Sequence, residues 1–414
     1  MNIAMLSYHT CPLAILGGKN TGGMNVYVRE LTRFLGRVGV HVDVFTRSED
    51  EHIPQVSHDL GYFNRVVHIP AGPQYSQPKN QLNNFTDEFA NGIIQFAERK
   101  GIQYDLVHAH YWLSGVAGKR LKDVWGVPVL QMFHTLGLMK QQIGRTSDER
   151  EGDYRIGGER AVMKTSDRII AATEAEMDQL ENLYGVNRKM VTVIPPGVDI
   201  HHFYPIPKDE AKEAIGISPQ DRMALFVGRI EPLKGVDTLI KAMAIVKQRC
   251  KSFICPHYLV IIGGDPGEEL ADTSDEMARL QALCKELGLD ELVVFLGKRG
   301  QDTLPYYYSA AEVVVMPSFY ESFGMVALEA MACGTPVIAS KVGGLVHLIK
   351  DGETGFFVPA QDSERLAEKL RLLFVEHELR HQLGSQAAAY AKEFRWENIT
   401  QQIVGVYQEM IPSK

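Results

Sequence analysis

Cysteine is scarce in this chain. Only five occur in 414 residues, at Cys11, Cys250, Cys255, Cys284 and Cys333, and none forms a CxxC pair. That excludes a disulfide-stapled scaffold, and an odd count without a secretory leader implies reduced intracellular thiols. Cys250 and Cys255 stand close together, but zinc would need a second pair that the sequence does not supply. No run of 18 apolar residues is present, so no membrane-spanning helix is expected. The opening MNIAMLSYHT turns polar too early for a signal peptide, which points to the cytoplasm. Neither sign of charge dominates: 43 Lys and Arg face 51 Asp and Glu, a net charge of -8. An extended nucleic-acid surface is therefore not expected, although a local cationic pocket for a small anion stays open. Short repeats, low-complexity tracts, the GxGxxG fingerprint and the Walker A loop are also missing.

What is present is alternation. Hydrophobic residues make up 45% and charged residues 23%, ordinary for a globular chain whose length suits two or three domains. Strand-like NIAMLS, HVDVFTR, RVVHIP, DLVHAH, PVLQMFHT, RIIAAT and VTVIPP are separated by stretches with helical spacing. After PPGVDIHHFYPIPKDE the series restarts with MALFVGRI, YLVIIGG, LVVFLG, EVVVMPS, TPVIAS and TGFFVP. Strands alternating with helices specify parallel sheets covered on both faces. The expectation is α/β, two Rossmann-like domains facing a central cleft, over residues 1–200 and 201–390. Ligands of such sheets bind at the carboxyl ends of the strands.

Four constellations could carry chemistry there. The loop LGGKNTGG offers Gly17, Gly18, Gly22 and Gly23 ahead of a helix, where backbone amides can approach a phosphate, or where the glycines merely make a flexible connection. In FVGRIEPLKGVDTLI, Arg229 and Lys234 follow a strand and suit a diphosphate, or form a solvated basic pair. In EVVVMPSFYESFGMVALEAMACG, a helix beginning near Phe323 would present the amides of Gly324, Met325 and Val326. Glu321 in the preceding loop could accept from sugar hydroxyls and Glu329 could clamp a ribose; the plainer alternatives are helix capping and a surface salt bridge. Finally, His9, His108, His110 and His134 fall where strands of the first half should end.

Together these segments resemble the retaining glycosyltransferases of the GT-B fold, in the large family that includes the sucrose synthases and sucrose-phosphate synthases (family 4). The most specific match is ESFGMVALEAMACGTPVIAS with GRIEPLKGVD upstream. The resemblance implies that Glu321 binds donor-sugar hydroxyls, the amides around Gly324, Met325 and Val326 the phosphate and sugar, and Glu329 the ribose. It implies that Arg229 and Lys234 neutralise the diphosphate leaving group in place of a metal ion, with Arg299, Gly22 and Gly23 also on the donor. No cofactor is expected beyond the UDP-sugar co-substrate. His134 would lie beside the reacting face of the sugar, its carbonyl facing a developing oxocarbenium ion. The tail AKEFRWENITQQIVGVYQEM, residues 391–414, would be a helix crossing back to the first domain.

Within that family GGMNVYVREL, HAHYWLSG and GGERAV look similar to the mycothiol-pathway enzymes that join N-acetylglucosamine to inositol phosphate. By that likeness Lys79, Tyr111, Thr135 and Arg155 would hold an acceptor phosphate, with Gly23 and Asn25 at an acceptor hydroxyl. HTLGLMK leans instead toward sucrose-phosphate synthases, whereas GGMN departs from their usual GGQ. The expectation places transfer from UDP-glucose to fructose 6-phosphate first, and transfer from UDP-N-acetylglucosamine to inositol phosphate, or a non-catalytic nucleotide-sugar-binding module, as alternatives. Homo-oligomerisation stays open, and no nucleic-acid or membrane partner is expected. An epimerase of the same architecture would lack ESFGMVALEA, and FAERKG and GKRLKD are too sparse for a membrane-binding patch.

Overall fold

The computed structural model describes residues 1–14, 21–144, 152–249, 257–264 and 275–412. They form two compact units, the first from residues 1–14, 21–197 and 396–412, the second from 198–395.

The first unit is built on eight strands: β1 (Asn2–Leu6), β2 (His41–Arg47), β3 (Val56–Ser57), β4 (Arg65–Ile69), β5 (Leu106–His110), β6 (Val129–Met132), β7 (Arg168–Ala171) and β8 (Val191–Val193). Their order is β3-β4-β2-β1-β5-β6-β7-β8, parallel throughout except the two-residue edge strand β3. Ile3, Ala4, Met5 and Leu6 are all fully buried, and so are Leu106, Val107, His108, Ala109 and His110. A parallel sheet with helices on both faces has no wet side, so its strands read as continuous rather than alternating apolar runs. Local signals set the helices. Thr86–Lys100 carries Asp87 and Glu88 in its first turn and Arg99 and Lys100 in its last, matching the helix dipole, and it stops at left-handed Gly101. Its Phe89, Ile93 and Phe96 are buried against Phe45 and Val107, each worth roughly 2 kcal/mol of transfer free energy.

The last helix, Trp396–Met410, belongs to this unit. Trp396 lies against Gly197, where an added Cβ would come within 2.6 Å of the indole, and meets Tyr27 edge-on at 5.4 Å.

The second unit holds β9 (Arg222–Val227), β10 (His257–Ile262), β11 (Val293–Gly297), β12 (Val313–Met316), β13 (Val337–Ser340) and β14 (Gly355–Val358). They run parallel in the order β11-β10-β9-β12-β13-β14. Its core sets Leu239, Ile240 and Met243 of one helix against Leu259, Ile261 and Val313 of the sheet, with Leu366 and Leu370 of another helix.

Each sheet reverses its winding once, between β1 and β5 in the first unit and between β9 and β12 in the second. At such a reversal the flanking connections leave on opposite faces and open a crevice at the carboxyl ends of the strands.

Candidate functional site

At the reversal of the second unit, three loops are tied to one another. The loop after β9 turns through Pro232–Lys234 and ends at Gly235, φ 66°, where a Cβ would fall 2.1 Å from the Pro317 carbonyl. Phe319 donates its amide to the Leu233 carbonyl at 2.8 Å, which joins this turn to the loop after β12. From the third loop, after β13, the Gly344 amide donates to the Glu321 carbonyl at 2.8 Å. Only glycine fits at Gly343, where φ is 47° and a Cβ would lie 2.1 Å from the same carbonyl.

This backbone arrangement brings Lys234 Nζ to 2.6 Å from Glu321 Oε2, both side chains largely shielded from solvent. Arg229 pairs with Glu231 at 2.7 Å and stays about one-third exposed. Gly324, φ 106°, caps the helix Met325–Ala332, whose first internal bond runs from Leu328 N to Gly324 O at 3.1 Å. The amides of Met325, Val326 and Ala327 therefore precede the first intrahelical donor, as at any helix start. Glu329 is buried and accepts a hydrogen bond from the Tyr308 hydroxyl at 2.7 Å. Two cations, a carboxylate and a helix start thus share one loop cluster, a chemistry suited to a phosphorylated, hydroxyl-rich ligand.

At the reversal of the first unit, two non-glycine residues sit in the left-handed half of conformational space. Tyr111 follows β5 with φ 72° and ψ 158°, a region used almost only by glycine, and His134 comes two residues after β6 with φ 62°. Such strain costs on the order of 1–3 kcal/mol at each residue and clusters at functional sites. It is held in place at Tyr111: its amide donates to the Met132 carbonyl at 2.8 Å, and Gln131 Nε2 donates to its carbonyl at 3.1 Å.

Around Tyr111 the charged groups assemble. The His9 ring lies 4.4 Å from the Tyr111 ring, and the Arg155 guanidinium 4.9 Å from it. Arg155 is buried, donating to the Thr135 carbonyl at 2.8 Å, the Thr135 hydroxyl at 3.0 Å and Glu159 at 2.8 Å. Gly158, on the same helix as Arg155, packs under the Trp112 ring, which a Cβ there would meet at 2.4 Å. Glu159, fully buried, also accepts the Gly137 amide at 3.0 Å and the Tyr184 hydroxyl. Burial first, and then the positive charges of Lys79 and Arg155, hold the His9 ring well below its ordinary pKa. The His9 ring is therefore neutral, and the cations near it are Lys79 and Arg155, the latter paired with Glu159. His110 Nδ1 lies 3.0 Å from His134 Nε2, and Tyr27 packs edge-on against both rings. Among the described residues no group of three or more His, Cys, Asp or Glu could hold a metal ion.

Comparison with known proteins places this geometry. The description "Glycosyltransferase Family 4" matches residues 21–202, and "Glycosyl transferases group 1" matches 207–390. A D-inositol 3-phosphate glycosyltransferase of Actinosynnema mirum is 38% identical over 98% of this chain and 96% of its own. The chain belongs to the GT-B glycosyltransferases of family 4. A second such relative, from Acidothermus cellulolyticus, is 37% identical over the whole chain and 91% of its own. Among solved structures, sucrose-phosphate synthase from Thermosynechococcus elongatus superposes with a TM-score of 0.88 at 33% identity, over 99% of this chain and 98% of its own. An Anabaena protein solved with UDP-glucose shares the fold, with a TM-score of 0.73 at 22% identity over 99% of this chain and all of its own.

For this glycosyltransferase, several positions differ in detail from the sequence expectation. The helix after Glu321 begins at Met325 rather than near Phe323, because Gly324 takes the left-handed cap. Glu329 is buried rather than on the surface, and it accepts from the Tyr308 hydroxyl, a partner the sequence did not point to. Gly22 is the extended N-cap of the helix Gly23–Arg37, and Gly23 is exposed in its first turn. Asn25 is buried; its amide donates to Thr10 Oγ1 at 2.7 Å and the Cys11 carbonyl at 2.8 Å, and its oxygen accepts from the Gly22 amide, so it braces the loop. Arg299 donates to the Leu296 carbonyl at 2.6 Å and the Lys298 carbonyl at 2.9 Å, and its Nε lies 3.3 Å from the Tyr307 hydroxyl. Lys79, half-buried, opens the short helix Lys79–Leu82. Gly17, Gly18, Cys250 and Cys255 lie outside the described residues. Sequence reasoning missed Glu159, Tyr184, Tyr27 and Glu231; all but Tyr184 stand inside quoted motifs, GGERAV, GGMNVYVREL and GRIEPLKG. No helix among the described residues is long and apolar enough to cross a membrane.

Proposed function

We propose that this glycosyltransferase moves a hexosyl group, with retention, from a UDP-sugar to a small phosphorylated sugar or polyol. The observation that carries the reading is the loop cluster where Lys234 and Glu321 meet 2.6 Å apart at the sheet reversal, ahead of the helix Met325–Ala332.

As the bond from the anomeric carbon to the β-phosphate breaks, negative charge grows on the leaving diphosphate. Arg229 and Lys234, with the Met325 and Val326 amides and the helix dipole, are the fixed positive groups that would absorb it, so no metal ion is required. Arg299 supports the donor from the loop after β11. Glu321 orients the sugar through its hydroxyls, and Glu329, held by Tyr308, accepts from ribose hydroxyls. On the acceptor side, Lys79, Arg155 and the Tyr111 and Thr135 hydroxyls form the dianion clamp, while Gly22, Gly23 and Asn25 shape the adjoining loop. His134 contributes its carbonyl to the cationic face of the reacting sugar and its ring to a sugar oxygen. The departing phosphate oxygen takes the acceptor proton, and the acceptor enters on the face that the diphosphate leaves. This accounts for retention without a covalent intermediate.

Two acceptors have specific support. Inositol 3-phosphate is favoured by the whole-chain relatives of that name at 37–38% identity, and by the GGMN loop. Fructose 6-phosphate, placed first on sequence, is supported by the sucrose-phosphate synthase neighbour. A matrix of four nucleotide sugars against inositol 3-phosphate, fructose 6-phosphate, glucose 6-phosphate and unphosphorylated sugars tests both. UDP release with a phosphorylated acceptor is expected; preference for an unphosphorylated acceptor would refute the clamp. Activity should survive chelator, and a loss restored only by divalent ions would overturn the charge-stabilisation scheme.

A further inference from the structure

The hydrogen bond between His110 and His134 has a direction that burial decides. His110 is fully buried, its ring centroid 4.2 Å from that of His108 and 5.6 Å from that of Tyr27. Its Nδ1 faces His134 Nε2 at 3.0 Å, whereas its Nε2 is buried without a hydrogen-bond partner. Burial is the main cause holding both rings below their ordinary pKa, so each is neutral near pH 7 and carries one N–H.

Only two proton arrangements satisfy the short contact. If His134 donated from Nε2, His110 would carry its proton on the partnerless Nε2, a buried orphan donor. If His110 donates from Nδ1, the atom left unpartnered is a lone pair, which native interiors tolerate better than an orphan N–H. The second arrangement therefore prevails, and it leaves the His134 proton on Nδ1.

We infer that His110 is a positioning residue that locks His134 as the Nδ1–H tautomer, making that ring a hydrogen-bond donor toward a substrate oxygen. The same logic extends to the last helix: His108 Nδ1 lies 2.8 Å from the Tyr407 hydroxyl while its Nε2 is likewise unpartnered, so Tyr407 accepts from it. The tautomer stands on the ring contacts and their burial; its use in turnover rests on the role proposed above for His134.

The test separates those layers. Long-range proton–nitrogen NMR on the full chain with nitrogen-15 histidine should show His134 Nδ1 protonated and Nε2 bare. His110→Asn keeps a side-chain N–H near the Nδ1 position; His110→Asp puts an acceptor there and should shift the His134 proton to Nε2. H110D should lower kcat by about tenfold with little change in KM, the worth of one hydrogen bond, and H110N should recover most of it. Because a buried aspartate can unfold the chain, tryptophan fluorescence checks folding, and the unmutated protein alone already reports the tautomer. Protonated Nε2 in the unmutated protein overturns the inference, as do equal losses in H110D and H110N with both folded. A correct tautomer with full activity in His134→Ala would instead remove the proposed role of His134 and leave the proton assignment standing.

Discussion

Moving from pH 7.5 to pH 5.5 should destabilise the first unit by about 3 kcal/mol. His9, His108, His110 and His134 all have ring pKa values lowered chiefly by burial, to about 3 for His108 and His134. In the unfolded chain these rings titrate near 6.5. Below that pH the unfolded state binds protons that the folded state refuses, so stability is complete above about 6.5 and falls as acid is added. Each ring gives up a little over 1 kcal/mol in the first pH unit below that value, about 5 kcal/mol for the four. Glu176 runs the other way. Burial raises its carboxyl to about 7, so the folded state takes up a proton over this interval while the unfolded carboxylate stays ionised. That offsets about 2 kcal/mol.

The assay is selective because Trp112, Trp125 and Trp396, the three tryptophans of the chain, all lie in this unit. Urea unfolding followed by their fluorescence, at a slope of about 2–3 kcal/mol per molar, should show the midpoint falling by roughly 1 M. A midpoint that holds steady or rises on acidification would refute the claim that these histidines are neutral in the fold.

Replacing Arg229 or Lys234 by alanine should lower kcat by on the order of 100-fold, since each acts on charge that grows in the transition state; losses under about threefold in both would defeat the leaving-group role. Arg155→Ala should weaken a phosphorylated acceptor far more than UDP, and Glu159→Gln should act in the same direction by loosening the Arg155 side chain. Calorimetric titration of each ligand decides it, and equal weakening of both would rule out a clamp. Gly343→Ala should cost about 2 kcal/mol or more in thermal unfolding and also weaken UDP binding, because a Cβ there strikes the Glu321 carbonyl; unchanged stability would show that the loops are not packed as described.

Much of this was written in local sequence. HVDVFTR is β2 to the residue, and one of the stretches with helical spacing is the helix Thr86–Lys100, because uninterrupted apolar runs, end charges and a closing glycine act over a few positions. The same holds for EVVVMPSFYESFGMVALEAMACG, whose strand-loop-helix grammar is complete within one segment. Other features had no local trace. Glu159 meets Gly137 and Tyr184, each more than twenty positions away, and Lys234 meets Glu321 across 87. The strained backbones of Tyr111 and His134 cannot be read from their side chains, which by themselves disfavour that conformation.

Composition and periodicity were enough to determine two parallel-sheet units, and the likeness of a few short motifs to a known family pointed to that family and to the candidate polar groups, since each depends on residues close together in the chain. Which of those groups pair, which are buried, and which way a proton lies between two rings became fixed only on folding. Strand order decides which loops converge, and exclusion of water decides which charges and hydrogen bonds survive.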